Sequence, residues 1–365
     1  MPEPPMPMPV PLAATRPWRG VVTEFRDRLA LPADAPAITL LEGGTPLVPA
    51  PSIGERVGAD VYLKFEGMNP TGSFKDRGMC VAVSGALASG SKALVCASTG
   101  NTSASAAAFA ARAGIECGVV IPAGQIALGK LSQALIHGAN VIPVDGSFDD
   151  ALGIAVELAA RAPVTLVNSV NPLRIEGQKT VAFEIVDALG GRAPDIHCLP
   201  VGNAGNITAA WLGYTEAIEI YGLGSRPAMW GAQAAGAAPI VRGERVARPQ
   251  TIATAIKIGN PASWQGAVDA RDASGGVIEA VTDAEILVAY RMLAASEGIF
   301  CEPASAAGIA LLLTKAAAGE VPAGATVVAT LTGHGLKDPD RVVEEIQVPA
   351  AVAATYDAVA ERLGV

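Results

Sequence analysis

The chain of 365 residues contains few of the groups on which metal and disulfide chemistry depend. It has three histidines and five cysteines, no two of which form a Cys-x-x-Cys pair, and aromatic residues make up 4% of it. Histidine, cysteine and carboxylate side chains do not cluster in the sequence with metal-ligand spacing. We therefore expect neither a metal site nor a disulfide framework, and interpret the cysteines as buried thiols in a reducing cytoplasm.

Charge and apolar length argue against two further classes of partner. The formal net charge is −9, the wrong sign for electrostatic attraction to nucleic acid or an anionic membrane. No apolar run reaches the roughly 18 residues of a membrane span. The first 17 residues carry seven prolines and no signal-peptide core, so residues 1–20 are predicted to form a flexible arm. These features favour a cytoplasmic protein that acts on small molecules.

Half of the residues are hydrophobic and 40 are glycines, and short apolar runs alternate with helix-length segments from about residue 60. This alternation predicts an α/β protein in which helices cover both faces of parallel sheets. The predicted strands are Ala93–Ala97, Cys117–Ile121, Asn140–Val144, Thr165–Val167, Ile196–Val201, Met229–Gln233 and Thr326–Leu331. The predicted helices are Thr102–Ala113, Leu128–His137, Ala151–Arg161, Ile175–Leu189, Asn206–Ile220, Asp283–Glu297 and Ala304–Lys315.

Four strand-to-helix junctions are rich in Gly, Ser, Thr and Asn, namely residues 98–102, 168–174, 202–206 and 332–335. Ligands of α/β proteins bind beyond the carboxyl ends of the strands. The small residues at 202–206 would let backbone amides and a helix N-terminus bind a phosphate without a basic side chain. A tight turn between strand and helix is the alternative interpretation of that loop.

A lysine is expected at the start of another helix. Ser73 could cap a helix that begins near Lys75,. The helix dipole disfavours a cation there, so Lys75 either points to solvent or is a destabilised amine suited to nucleophilic or proton-transfer chemistry. A reactive lysine together with a non-basic phosphate cradle indicates pyridoxal 5′-phosphate, an aldehyde that carries a phosphate.

The motifs resemble the second fold type of pyridoxal-phosphate enzymes, to which the tryptophan synthase β subunit belongs. The resemblance lies in Asn-Pro-Thr-Gly-Ser-Phe-Lys-Asp-Arg-Gly around Lys75, in the Ser-Thr-Gly-Asn-Thr loop and in Gly-Asn-Ala-Gly-Asn. Segments 41–47, 168–174, 302–307 and 330–338 are similar to the threonine synthase family in particular. The matches run in order from about residue 38 to residue 340. The resemblance implies two open, twisted-sheet α/β domains that face a cleft.

The resemblance also implies roles for residues that hold the cofactor. Lys75 would bind it as a Schiff base and then move protons, and Asn101 would hydrogen-bond its ring hydroxyl. Thr332 would face the ring nitrogen, which a hydroxyl cannot keep protonated as a carboxylate would. The phosphate of the cofactor would lie on Gly202, Asn203, Ala204, Gly205 and Asn206.

The substrate that the family implies is O-phospho-L-homoserine, which brings a second phosphate and an α-carboxylate. Ser98, Thr99 and Thr102 lie in a loop that precedes a helix and suit the carboxylate. For the phosphate, Arg174 offers a bidentate fork and Lys64 a further charge, and the same loop adds Asn168 and Ser169. Arg174 could instead pair with a structural carboxylate, and Lys64 could lie along a strand edge.

The implied reaction removes phosphate from Cγ and adds water at Cβ to give L-threonine, with the departing phosphate as a proton carrier. Two other functions stay open. One keeps the cofactor but acts as a serine or threonine dehydratase or as a β-replacement enzyme, which needs no second anion site. The other is a non-catalytic binding protein, which would not need Lys75. His137 and His197 are interpreted as packing residues, and His334 as structural or substrate-steering.

The domain organisation is likewise implied by the resemblance. Residues 21–76 and 167–365 are predicted to form a larger cofactor-binding domain, and residues 77–166 a smaller inserted α/β domain. Family members are commonly dimers, so a homodimer is expected.

Overall fold

The computed structural model describes residues 17–123, 128–339 and 349–365. Most of the predicted N-terminal arm, residues 1–16, lies outside the described residues. No helix in the described part of the chain is both long and apolar enough to cross a membrane. The five cysteines are all buried and unpaired.

In the described part of the chain, ten strands form two separate sheets. A six-stranded sheet has the order β1-β2-β10-β7-β8-β9, and a four-stranded sheet has the order β5-β4-β3-β6. Only β1 runs antiparallel to its neighbour, so parallel pairing dominates both sheets. The strands are β1 Leu47–Pro49, β2 Asp60–Phe65, β3 Ala93–Ala97, β4 Glu116–Pro122, β5 Asn140–Val144, β6 Val164–Leu166, β7 Ile196–Pro200, β8 Ala228–Ala234, β9 Val277–Val281 and β10 Thr326–Leu331.

Helices connect the parallel strands, as crossover connections require. In the described residues they are α1 Val21–Glu24, α2 Pro51–Val57, α3 Lys75–Ala88, α4 Asn101–Ala113, α5 Leu128–Ile136, α6 Phe148–Arg161, α7 Pro172–Ala188, α8 Gly205–Tyr221, α9 Pro239–Arg242, α10 Trp264–Ser274, α11 Asp283–Glu297, α12 Pro303–Ala317 and α13 Tyr356–Leu363. Short 3₁₀ turns span Arg26–Arg28, Glu66–Met68, Ala235–Ala237, Thr254–Ile256 and Gly335–Lys337.

Every predicted strand and helix is present, with ends that shift by at most three residues. Three observed strands are missing from the predicted list: β1 and β9, which are the two edge strands of the large sheet, and the internal strand β2. An edge strand is half exposed and lacks the continuous apolar run by which the buried strands were found. Residues of β9 accordingly alternate between buried and more exposed positions.

All four strands of the small sheet lie between Ala93 and Leu166. The six strands of the large sheet come from the chain on either side of that segment. This distribution accords with an inserted smaller domain at residues 77–166, although the boundaries themselves stay a prediction.

Two helices, α3 before the strands of the small sheet and α7 after them, pack closely enough to bring their first turns together. Gly78 of α3 and Gly177 of α7 lie at the contact, where a Cβ on Gly177 would stand 1.9 Å from the carbonyl oxygen of Arg77. A Cβ on Gly78 would stand 2.5 Å from the carbonyl oxygen of Arg174. Any larger side chain would push the helices apart. Lys75 and Arg174, each three residues before its glycine, are therefore held on neighbouring helix starts.

Candidate active site

The loop that precedes α3 is tied to the end of the large sheet. The Phe74 amide donates to the Thr332 carbonyl oxygen at 2.9 Å, and Ser73 forms an isolated β-bridge with Gly333. The predicted cap is wrong, because α3 begins at Lys75 without a side-chain cap. The Ser73 hydroxyl is instead buried with no hydrogen-bond partner among the described residues.

Lys75 is the first residue of α3, and its amine is destabilised as a cation. Burial and then the nearby charge of Arg174 lower the pKa of Lys75 to about 7, while Glu302 acts in the opposite direction. The ammonium also lies 4.4 Å from the centre of the Phe74 ring. A lysine with a pKa near neutrality can act as a nucleophile or a base at physiological pH.

Arg174 is fully buried in the first turn of α7 and, among the residues that the structure describes, does not pair with a carboxylate. The helix starts three residues earlier than predicted, because Pro172 takes its first position and the Asn171 side chain caps the Leu173 amide at 2.9 Å,. Nη1 of Arg174 donates to the Val167 carbonyl oxygen at 2.7 Å. Nε and Nη2 have no hydrogen-bond partner in the described part of the chain. A buried guanidinium with two free donors suits an incoming anion.

Asn101 and Thr332 meet at one carboxyl group. The Asn101 amide donates to the two Glu302 oxygens at 3.2 and 3.4 Å, and the Thr332 hydroxyl donates to Glu302 Oε1 at 3.4 Å. Thr332 also lies 2.9 Å from the Ser305 hydroxyl. The two residues predicted to contact opposite features of the cofactor ring thus belong to one polar group of side chains.

The loop at 202–206 has the geometry of an anion cradle. Ala204, the residue before α8, has a left-handed backbone with φ of 65°, and no side chain caps the first turn of the helix. The side chain of Asn206 is occupied by Pro200 O and by the Ile207 amide, both at 2.8 Å. The Thr208 amide donates to Ala204 O at 3.2 Å. Within the described residues, the first-turn amides left for a ligand are therefore those of Gly205 and Asn206, which the left-handed residue before the helix presents together.

The loops that follow β3 and β6 are held together. Both atoms of the Asn168 side-chain amide bond to the backbone of Ala97 at 2.9 Å. The Ser98 hydroxyl accepts from the Gly100 amide at 3.1 Å, Thr102 is buried, and Thr99 and Ser169 are half-buried. Asn168 therefore joins the predicted carboxylate loop to the predicted phosphate loop, and its side chain is already occupied in doing so.

Lys64 lies apart from this group of candidates. Its amine donates to Thr45 O at 2.6 Å and to Glu184 Oε2 at 2.8 Å, inside a buried network in which Arg77 bridges Glu66 and Glu184 at 2.6–2.8 Å. Although burial alone would raise it, the pKa of Glu184 is lowered to about 2 by Arg77 and Lys64. Strand β2 is also internal, so Lys64 does not lie at a sheet edge. Its contacts lend no support to the predicted phosphate-binding role.

The three histidines lie outside the group around Lys75 and Glu302. His137 is exposed, and His197 is buried against Thr330 and Tyr214, where burial lowers the pKa of His197 to about 3. His334 caps the turn Gly335–Lys337, and its ring stacks on Phe65 with centroids 6.0 Å apart. In the described residues, no three His, Cys, Asp or Glu side chains gather as metal ligands do.

The donor set fits a phosphorylated aldehyde. It combines a lysine that loses its proton near pH 7, an uncapped helix start behind a left-handed residue, and amide and hydroxyl groups beside the lysine. Glu302 belongs to segment 302–307 of the family resemblance, which implies no role for it. Glu-Pro at a helix start reads as an ordinary capping signal, so only the folded chain shows that its carboxyl group faces the site.

Three comparisons with known proteins agree with this geometry. Residues 38–333 match the family model described as pyridoxal-phosphate dependent enzyme. The threonine synthase of Mycobacterium tuberculosis is 58% identical over 97% of this chain and 98% of its own length, and that of Synechocystis is 57% identical over 95% and 91%. A solved structure of threonine deaminase isoform 2 from Solanum lycopersicum, 21% identical, aligns over 94% of this chain and 99% of its own with a TM-score of 0.73, which concerns the fold alone. The chain therefore belongs to the pyridoxal-phosphate dependent enzymes and, among them, to the threonine synthases.

Proposed function

We propose that this protein converts O-phospho-L-homoserine and water to L-threonine and phosphate, with pyridoxal 5′-phosphate held at Lys75. The observation that carries the proposal is the buried guanidinium of Arg174, which has two unpartnered donors and lowers the pKa of the candidate lysine. A substrate such as serine brings no phosphate and would leave this cation uncompensated. The arrangement therefore favours a phosphorylated substrate over the dehydratase alternative.

The cofactor would be held by groups that the chain supplies at three places. The amides of residues 202–206 and the dipole of α8 would bind its phosphate. Asn101 would donate to the ring hydroxyl, and Thr332 would face the ring nitrogen. When bound, pyridoxal phosphate supplies an electron sink that acidifies the protons next to the substrate amine.

Lys75 would move the protons of the reaction. With a pKa of about 7, a large fraction of its amine is neutral at physiological pH, so it can accept a proton from the substrate Cα and later return one. An ordinary lysine, with a pKa near 10.4, would be almost fully protonated. The Phe74 ring lies 4.4 Å from Nζ.

The substrate would lie between the two tied loops. The start of α4 and the hydroxyls of Ser98, Thr99 and Thr102 would bind the α-carboxylate, and Arg174 would hold the phosphate through Nε and Nη2. Ser169, half-buried in the same loop, would add a hydroxyl. Holding the phosphate by a charged fork also stabilises it as it leaves from Cγ.

The test is to incubate the purified protein separately with O-phosphohomoserine and with threonine. We expect equimolar phosphate and threonine from the first incubation. Release of 2-oxobutyrate from threonine, with no phosphate from O-phosphohomoserine, would show a dehydratase and overturn the proposal.

We also propose a homodimer in the cytoplasm, with residues 77–166 as the smaller domain and residues 21–76 and 167–365 as the larger. Sedimentation of the purified protein checks the first point. Limited proteolysis that releases a stable fragment with ends near residues 77 and 166 would check the domain boundaries.

A further inference from the structure

The carboxyl group of Glu302 bonds both predicted ring contacts, Asn101 and Thr332. It is 4% exposed, and its backbone amide donates to the Gly333 carbonyl oxygen at 3.0 Å. Gly333 packs on the carboxyl group so closely that a Cβ there would stand 2.6 Å from Glu302 Cδ. The acid is therefore fixed between the start of α4 and the loop after β10.

The direction of the Thr332 hydroxyl depends on what its neighbours donate. Ser305 Oγ accepts from the Gly333 amide at 2.9 Å, so its own proton is available for Thr332 Oγ1 at 2.9 Å or for Gly333 O at 3.4 Å. An ionised Glu302 can only accept, which draws the Thr332 proton towards it. A neutral Glu302 can donate to Thr332 instead and free the Thr332 proton.

We propose that Glu302 is a positioning residue that sets whether the Thr332 hydroxyl faces the cofactor's ring nitrogen as a hydrogen-bond donor or as an acceptor. An ionised Glu302 leaves Thr332 as an acceptor, which favours a protonated ring nitrogen. A neutral Glu302 leaves Thr332 as a donor, which favours an unprotonated one. The inference rests on the proposed function, because it needs the cofactor ring at Thr332.

The surroundings of Glu302 raise its pKa. Burial raises the pKa of Glu302 above the ordinary value of 4.5, and the charge of Asp338 raises it further. The hydrogen bond from Asn101 and the charges of Lys337 and Lys75 lower the pKa but do not cancel the effect of burial. The side chains that face it are thus Lys75 from α3, Asn101 from α4, Lys337 and Asp338 from the segment after β10, and the adjacent thiol of Cys301. The net effect is to favour the neutral form of Glu302 relative to an exposed glutamate,.

The experiment is a pH titration of the absorption spectrum of the holoenzyme. In the wild-type protein we expect one transition of the Lys75-linked cofactor above pH 4.5. In Glu302→Gln the new side-chain amide can donate to Thr332 at every pH. The variant should therefore lack the transition and show, at every pH, the spectrum that the wild type shows at low pH. Glu42→Gln is the matched control, since Glu42 is another fully buried acid whose pKa is raised by burial and its substitution should leave the transition in place.

A second pair of variants decides the matter even where Glu302→Gln folds poorly. Thr332→Val removes the hydroxyl that couples the acid to the ring and should abolish the transition, whereas Thr332→Ser should retain it. Glu302→Ala should weaken cofactor binding about tenfold, measured as the dissociation constant of pyridoxal phosphate.

Two results would separate failure of this inference from failure of the proposed function. A wild-type transition that persists unchanged in Glu302→Gln or in Thr332→Val overturns the inference, even if either variant melts at a lower temperature. A wild-type protein that forms no borohydride-trapped adduct at Lys75 overturns the proposed function itself.

Discussion

The side-chain amide of Asn168 bonds to both the N–H and the C=O of Ala97, each at 2.9 Å. Strand β6 ends at Leu166, which pairs with Val95 of β3. The Asn168 side chain extends this pairing beyond the end of β6. The loop that is proposed to bind the substrate carboxylate and the loop that leads to Arg174 are thereby fixed to each other. The spacing between the two substrate contacts depends on this one side chain.

Substitution of Asn168 by Ala should raise the KM for O-phosphohomoserine with little change in cofactor binding. Two hydrogen bonds are lost, so we also expect the free energy of unfolding to fall by about 1–3 kcal/mol. Steady-state kinetics, cofactor titration and urea unfolding measure the three effects. Asn140→Ala, at an exposed position of the same sheet, should change none of them. An unchanged KM in Asn168→Ala would contradict the proposed placement.

Substitution of Lys75 by Ala should abolish the covalent cofactor adduct and lower turnover by about 10²–10⁴-fold, because both the attachment point and the proton carrier are removed. Borohydride reduction followed by mass spectrometry of tryptic peptides locates the adduct. Lys92→Ala removes an exposed lysine and serves as the control. Phosphate release at the wild-type rate from Lys75→Ala would show that another residue does the chemistry.

The rate at which the cofactor-free protein captures pyridoxal phosphate should level off near pH 7. Capture needs the neutral amine, so below its pKa of about 7 the rate should fall about tenfold for each pH unit. At pH 7 it should exceed that of an ordinary lysine on the order of 10³-fold. Stopped-flow absorbance measures the rate. A rate that keeps rising to pH 10 would mean that burial and Arg174 do not lower the pKa.

Substitution of Arg174 by Leu should separate binding from stability. The KM for O-phosphohomoserine should rise about 100-fold, because a charged bidentate contact is lost. Without phosphate the variant should be at least as stable as the wild type, since burial of a guanidinium with two unmade hydrogen bonds is costly. Inorganic phosphate should raise the melting temperature of the wild type alone. Arg192→Leu, at an exposed position, is the control, and an unchanged KM in Arg174→Leu would exclude the phosphate contact.

Substitution of Lys64 by Met should test the remaining predicted phosphate contact. Loss of one partner leaves Glu184 short of a counter-charge, so we expect a loss of about 3 kcal/mol in the free energy of unfolding. The KM for O-phosphohomoserine should stay within about twofold of the wild type. A rise comparable to that of Arg174→Leu would restore Lys64 to the substrate site.

The buried strands and the amphipathic or buried helices could be predicted from apolar run length and spacing, as β3, β5, β10 and α11 show with unchanged ends. The predicted start of α7 is three residues late, because the predicted loop at 168–174 includes Asn171 and Pro172, although the pair is a helix start signal,. The cap expected from Ser73 was wrong for the opposite reason: a β-bridge to Gly333 competes for the local backbone. Long-range pairing overrides such local propensities.

By itself the sequence determined the α/β class and membership of a family, and it predicted the chemistry of Lys75 and of the Gly-rich loop, because run lengths, turn residues and contiguous motifs are local properties of the chain. It could not decide which charges face each other. Lys64 and Arg174 were both predicted to bind the substrate phosphate, yet Lys64 is neutralised by Glu184 and Arg174 keeps two donors without a partner among the described residues. Glu302 reaches Asn101 across 201 residues. Such pairings exist only once the two sheets and the glycine contact between α3 and α7 have formed, since electrostatic environment depends on distance in space and on exclusion of water.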